Sequence, residues 1–393
     1  MSPSDSRPRG AGGFPEESPR GPLAGLRVIE LAGLGPGPFC AMLLADMGAD
    51  VLRIQRPAHR AGNPIASIGR LEPDKDVVTR GRQIAELDLK SSADAERLLD
   101  LCSSAAVLME GFRPGVMERL GLGPAQVLGR NPSLVYARLT GYGQSGPLAH
   151  TAGHDINYLA MSGVLSLIAR EGERPLAPLN LLGDFGGGGM LAAVGILSAV
   201  YARQHTGSGQ VVDAAMLDGV ALLAAKIHGL RTTGTWSDRA GTNFLDSGAP
   251  FYDTYETADG RYVAVGALEE PFYEQLMKVL EIPEHLRTAQ TDRERWPELR
   301  QRLTGIFRTR TREEWSRVFQ DVDACVTPVL SLDEAAAHHH NAARGVYQSE
   351  PGLLQPGRAP RFSGTPSAPR REASVRLDAD GFNELRRRWR EPP

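Results

Sequence analysis

The sequence predicts an α/β protein: a large domain built on a mostly parallel sheet, followed by a smaller α+β domain. Two observations carry this. From Leu26 to Gly141 short apolar runs alternate with helical segments, the signature of parallel strands joined by crossover helices. Further on, "FYDTYETADGRYVAVGA" sets two aromatic and β-branched runs around Asp259-Gly260, which reads as a hairpin. A chain of 393 residues has room for more than one such unit.

Taken in order, residues 1–21 mix acids with arginines and contain no apolar stretch, so they read as a disordered tail rather than a leader. The large domain is expected over 22–214. "LRVIELAG" is its first strand, and "GLGPGP" breaks it. "FCAMLLADMG" is the first helix, with Pro38 suited to its first turn and Gly48 to its stop. "ADVLRIQ" is the second strand. The pattern then repeats, with strands at "IAELDL", "AAVLMEGF" and "SLVYARLTG" and helices at "ADAERLLDLC" and "PAQVLGR". Residues 215–244 read as a helical linker and 245–337 as the small domain, with helices "EEPFYEQLMKVL" and "REEWSRVFQ" and a strand "ACVTPVL". Residues 338–393 form a proline-rich return and a final helix, "GFNELRRRWR", packing on the large domain.

Composition narrows the function. Apolar content is 41% and charged content 23%, ordinary for a globular enzyme. The 44 basic and 47 acidic residues nearly cancel, which excludes a nucleic-acid footprint or a basic membrane surface. The longest apolar stretch, near Met190 to Ala202, is too short to span a bilayer. Cys40, Cys102 and Cys325 are well separated and odd in number, which points to a reducing, cytoplasmic compartment.

Several motifs fail their obvious readings. "GLGPGP" occupies the place of a dinucleotide fingerprint, but its sixth position is Pro38 and the second strand ends in Gln55-Arg56 rather than an acid, which argues against NAD. "GDFGGGGM" lacks the Lys-Ser/Thr of a phosphate loop. The histidines at 338–340 lack the spacing of a metal-ligand set, so no metal is expected. No GxSxG or HExxH segment occurs.

Two readings of "LLGDFGGGGM" stay open on the residues alone. In one, the glycines permit close helix packing and Asp184 is a cap. In the other, Asp184 stands beside backbone N–H groups, of Gly186 and Gly187 above all, that can hold an oxyanion. His154 in "AGHDINYLAMSG" precedes Asp184 by about one crossover unit, so both residues could end on one rim of the sheet and face each other as a two-base proton-transfer pair.

The segments "GLRVIELAGLGPGPFCAMLLADMGADVLRIQRP", "GVMERLGLGP", "YARLTGYGQSGP", "AGHDINYLAMSGVL", "PLNLLGDFGGGGM", "GQVVDAAMLDG" and "DGRYVAVGALEEPFY" together resemble the α-methylacyl-CoA racemases, of the family III CoA-transferase (CaiB/BaiF-like) superfamily. The resemblance runs from residue 22 to the proline-rich tail, and "GHDINY" is its most specific part. It implies a Rossmann-like large domain, a small domain, and an interlocked homodimer whose sites lie between one chain's large domain and the other's small domain. It implies that His154 and Asp184 are the acid/base groups and that Glu269 of "GALEEP" partners the histidine. It implies acyl-CoA contacts from Arg56, from Leu87, Asp88, Leu89 and Lys90, and from Gly153, Asp155, Ile156, Asn157 and Tyr158. The CoA thioester is then the substrate, and no separate cofactor is implied.

The chain departs from the pattern in three places. Residues 57–86 are longer than the family leads one to expect, Gln83 stands where a basic residue is usual, and Glu270 competes with Glu269. The rival reading within the fold is a CoA-transferase in which Asp184 is a nucleophile. A catalytically silent acyl-CoA binding protein is the rival outside it, and its mark would be loss of His154 or Asp184. Both residues are present.

Overall fold

The computed structural model describes residues 21–57, 75–350, 352–369 and 373–391; all of the expected tail but Gly21, and most of the 57–86 insertion, lie outside them. The large body begins with β1 (Arg27–Leu31), α1 (Pro36–Asp46) and β2 (Asp50–Gln55). It continues through β3 (Gln83–Glu86), α2 (Ser92–Cys102), β4 (Val107–Glu110), α3 (Val116–Arg119), α4 (Pro124–Arg130) and β5 (Val135–Thr140). After β5 come α5 (Asp155–Met161) and a π-helix (Leu181–Met190) that runs directly into α6 (Leu191–Thr206). β6 (Val211–Ala215), α7 (Met216–Leu223) and α8 (Ala225–Thr232) follow.

These strands form one sheet in the order β3-β2-β1-β4-β5-β6, every pair parallel. Alternate residues of the strands feed two cores. Ile29, Leu52, Leu108 and Tyr136 face a layer that includes α2 and α4, whereas Val28, Val51, Val107 and Val135 face α1 and α6. Burial on both faces is why the strands read as continuous apolar runs. The polar exceptions in the strands are paired: Glu110 and Arg138 sit directly opposite in the β4–β5 register, with Nε donating to Oε1 at 3.0 Å. Gln83, where a basic residue was expected, is buried in β3 and donates to Asp50 Oδ1 at 3.0 Å.

The small body holds β7 (Tyr252–Glu256), β8 (Tyr262–Gly266), α9 (Glu270–Val279), α10 (Glu284–Arg287), α11 (Trp296–Phe307), α12 (Arg312–Phe319) and β9 (Val326–Pro328). Its three strands are antiparallel in the order β7-β8-β9, and the helices close over a core containing Phe251, Trp296 and Phe307. The chain returns through α13 (Leu332–Ala337), α14 (His339–Arg344) and a hairpin of β10 (Tyr347–Glu350) with β11 (Leu353–Pro356), where sequence suggested only an extended segment. β12 (Val375–Arg376) then adds to the sheet beside β3, a seventh parallel strand.

The last helix, α15 (Ala379–Arg390), buries Phe382, Leu385 and Trp389 in the core shared with α2 and α4. The Trp389 indole N–H donates to Asp50 Oδ2 at 2.8 Å. Truncating a buried aromatic leaves a cavity and removes one of the donors to Asp50, which keeps its ion pair with Arg388, so Trp389→Ala should lower unfolding free energy by about 3–5 kcal/mol. Urea titration followed by circular dichroism measures this.

Two expectations need correction. The apolar stretch around Met190 is not an isolated short run, because the glycines before it are helical. The continuous helix Leu181–Thr206 is long and apolar enough, in length and composition alone, to cross a membrane. Its glycines nevertheless pack against α1 and α7, while its other face stays exposed. The linker also begins later than expected, because α7 crosses that helix at glycine-to-glycine contact: a Cβ on Gly219 would stand 1.9 Å from the Gly187 carbonyl oxygen.

Candidate active site

The order 3-2-1-4-5-6 reverses direction between β1 and β4, and ligands of such sheets bind beyond the C-terminal strand ends at this reversal. A cleft of about 360 Å³ lies there. The loop after β1 lines it with Gly33 to Gly37, the loop after β4 with Gly111 to Pro114, and the loop after β5 with Gly141 and Tyr142. His154 and Asp184 both line this cleft, together with Gly153 and Tyr158.

Each is positioned by local chemistry. His154 is the N-cap of α5, its backbone extended, with its N–H bonded to Asn157 Oδ1 at 3.0 Å; its side chain is exposed. Asp184 is the fourth residue of the π-helix, half-buried. Its N–H donates to Asp155 Oδ2 at 2.7 Å, and its Oδ2 accepts from Asn180 Nδ2 at 3.2 Å. Burial raises the Asp184 carboxyl above the usual carboxylate range. The Asn180 hydrogen bond pulls it down, the Asp155 charge pushes it up, and His154 lowers it. Tyr158 donates to the Gly153 carbonyl at 2.5 Å and packs edge-on against Tyr142, and burial pushes its phenol up to about 12.

The loop after β1 approaches Asp184 so closely that only glycine fits. Gly35 has φ +67°, and a Cβ there would stand 2.6 Å from Asp184 Oδ2. The "GLGPGP" segment, which fails as a nucleotide fingerprint, therefore forms one wall around the carboxylate. Phe39 of α1 stacks on Phe185 at 4.5 Å between ring centroids and fixes the neighbouring turn.

The remaining expected residues fall into five groups. Exposed Arg56 follows β2, and Leu87 to Lys90 follow β3, on the same rim as the cleft but outside its lining. Ile156 and Asn157 are exposed on α5. The Asp155 side chain is buried rather than facing a ligand. Gly186 and Gly187 do not offer free amides, because the helix begins at Leu181. In π-helical geometry the sixth residue onward bonds to carbonyls five residues back, so the open N–H groups precede Gly186.

Glu269 lies elsewhere. It is the exposed N-cap of α9 in the small body, with Glu270 the first residue of that helix; neither lines the cleft that holds His154 and Asp184.

Two cleft residues were not singled out from sequence. Arg113 is exposed in the cleft wall after β4. Glu110, at the end of β4, is buried, accepts from the Phe112 N–H at 2.6 Å, and is pushed up to about 6 by that burial. Both stand in "MEGFRPG", immediately past a strand end, and the strand order that makes this the switch point is not visible in sequence. Among the described residues, no group of three or more His, Cys, Asp or Glu side chains could hold a metal ion.

Comparison with known proteins gives the family of the chain. The model of "CoA-transferase family III" matches residues 23–380. The "Alpha-methylacyl-CoA racemase" of Mus musculus is 46% identical over 356 residues, covering 90% of each chain. The human protein of the same name is 47% identical over 348 residues, 88% of each. A solved CaiB/BaiF family protein from Brucella suis superposes with TM-score 0.76 at 24% identity, over 94% of this chain and 100% of the other, a likeness of fold.

Proposed function

Since the chain belongs to CoA-transferase family III, we propose that it is a racemase of 2-methylacyl-CoA thioesters, interconverting R and S epimers by 1,1-proton transfer through an enolate. The observation that carries this is the placement of His154 and Asp184 in one cleft at the switch point of the sheet. The relatives named as racemases support the same reading.

The chemistry follows from the geometry. A thioester α-proton is weakly acidic, so its removal needs a base and a means of holding the enolate oxygen. Inversion needs a second group to return a proton on the opposite face. His154 and Asp184 take these roles and exchange them with reaction direction. Burial brings Asp184 closer to the proton affinity of imidazole, which favours a carboxyl able to give as well as take. For the enolate oxygen the candidate donors are the amides that open α5. Asp155 and Ile156 precede Asn157, whose N–H is the first to return to the His154 carbonyl. Arg56 and Lys90, exposed beyond the ends of β2 and β3, suit the phosphates of CoA, and exposed Arg113 lines the cleft itself.

A second copy of the chain completes the site in this reading, by supplying Glu269 to hold the His154 tautomer. Leu181, Met190, Val194, Tyr201, Leu222 and Leu223 are exposed along the π-helix, α6 and α7, an apolar surface of the kind a protein partner covers. Cys40 and Cys102 are buried and Cys325 is exposed, all as free thiols, which suits a reducing compartment such as the cytoplasm.

Mixing tests the shared site. His154→Ala and Glu269→Ala should each be nearly inactive alone. Refolded together they should recover roughly a quarter of wild-type activity, because each mixed dimer contains one intact site. Inactive single variants without recovery would place Glu269 in the same chain's site rather than the partner's, and a fully active Glu269→Ala would place it outside the site. To test the reaction itself, one epimer is incubated alone and then with a free carboxylic acid. Chiral chromatography should show the second epimer without acid; a new CoA ester formed only with acid would make Asp184 a nucleophile and the enzyme a transferase.

A further inference from the structure

The Asp155 carboxylate does not face the cleft. It is buried directly beneath, 6% exposed, and its Oδ2 accepts the Asp184 N–H at 2.7 Å. The Asp184 amide is in the first turn of its helix, where an N–H has no carbonyl behind it within the helix, so Asp155 caps that turn from a distance of 29 residues in sequence. Asp155 is at the same time the first residue of α5 and the immediate neighbour of His154. One side chain thus links the backbones of the two acid/base groups.

Two further features argue that this link matters. Gly183 makes room for it: a Cβ there would lie 2.5 Å from Asp155 Oδ2 and 2.8 Å from its carboxyl carbon. Asp155 Oδ1 is buried without a hydrogen bond among the described residues. Keeping a carboxylate in that condition is costly for stability, so a purely structural cap would be better served by a neutral side chain.

We propose that Asp155 is a positioning residue, whose carboxylate ties the backbone of Asp184 to the start of α5 and so sets the spacing between His154 and Asp184. This rests on the two-base reading above. The expected signature is a loss in turnover rather than in substrate binding, because reacting groups displaced by about 1 Å cost on the order of 100-fold in rate.

The experiment compares wild type, Asp155→Ala, Asp155→Asn and Gly183→Ala, each first shown to be folded by circular dichroism and thermal melting. Initial rates of epimerisation give kcat and KM. Asp155→Ala and Gly183→Ala should lose about 100-fold in kcat with KM changed less than about threefold. Asp155→Asn keeps an amide oxygen where Oδ2 stood and should recover at least about tenfold of that loss, showing the acceptor at work. The proposal is overturned if Asp155→Ala turns over like wild type. It is overturned equally if the loss lies in KM, or if Asp155→Asn is no better than Asp155→Ala. Should either alanine variant fail to fold, the kcat and KM of Asp155→Asn decide alone: a changed KM with normal kcat sinks the proposal. Failure of the two-base reading looks different, since wild type would then epimerise nothing.

Discussion

His154→Ala should abolish epimerisation while leaving one half-reaction alive. General acid/base groups contribute about 10²–10⁴-fold, and inversion needs both of them, so racemisation should fall by about 10³-fold or more. Asp184 remains in the cleft, held by Asn180 and the Asp155 contact. It can still take the α-proton of the epimer that faces it and return deuterium to the same face. Deuterium washout should therefore survive for one epimer with retained configuration and disappear for the other. Asp184→Asn should reverse the preference. The surviving exchange in His154→Ala has a predictable pH dependence. Asp184 must be ionised to act as base, and burial raises its pKa, so exchange should be lost on acidification through a value above the ordinary carboxylate one. Equal loss of washout from both epimers would contradict two separate bases.

Gly35→Ala is the second substitution of large effect, and it touches neither base directly. Gly35 has φ +67° and ψ −114° at the entry to α1, outside the left-handed helical region, which itself costs an alanine about 1–3 kcal/mol of stability. The larger consequence is local. The new Cβ would lie 2.6 Å from Asp184 Oδ2 and 2.8 Å from its Cγ, so the carboxylate or the loop must move. Displacement of a reacting group on that scale costs about 10²-fold, and it should appear in kcat of the folded enzyme, beside a melting temperature lowered by the backbone strain. Steady-state kinetics beside thermal melting separate the two effects. A variant with normal kcat would show that Asp184 need not occupy its observed place.

The sequence revealed the parts more readily than their arrangement. Strands such as "LRVIELAG" and "VYARLT" were legible because both faces of a parallel sheet are buried, and the Asp259-Gly260 hairpin because its turn chemistry is local. The strand order, and with it the switch point that makes Gly35, Glu110 and Arg113 neighbours of Asp184, depends on long-range pairing and was not legible. The same holds for β12, two residues that join the sheet far from their sequence neighbours. The glycine run misled about the helix start. Gly186 to Gly189 look like an N-terminus because glycine disfavours helix interiors, yet Gly187, Gly188 and Gly189 are buried in the helix where Cβ atoms would strike α7, Pro36 and Phe39. Asp155 was legible as part of "GHDINY", but its role depends on a hydrogen bond that no spacing rule predicts.

The central claim is that two groups move a proton between the faces of a bound thioester. Proton NMR of the purified enzyme with one epimer of a 2-methylacyl-CoA in deuterated water, without any acceptor acid, tests it most directly. The account predicts deuterium at C2 together with accumulation of the opposite epimer. A C2 position that stays protonated, with the starting epimer unchanged, would contradict it.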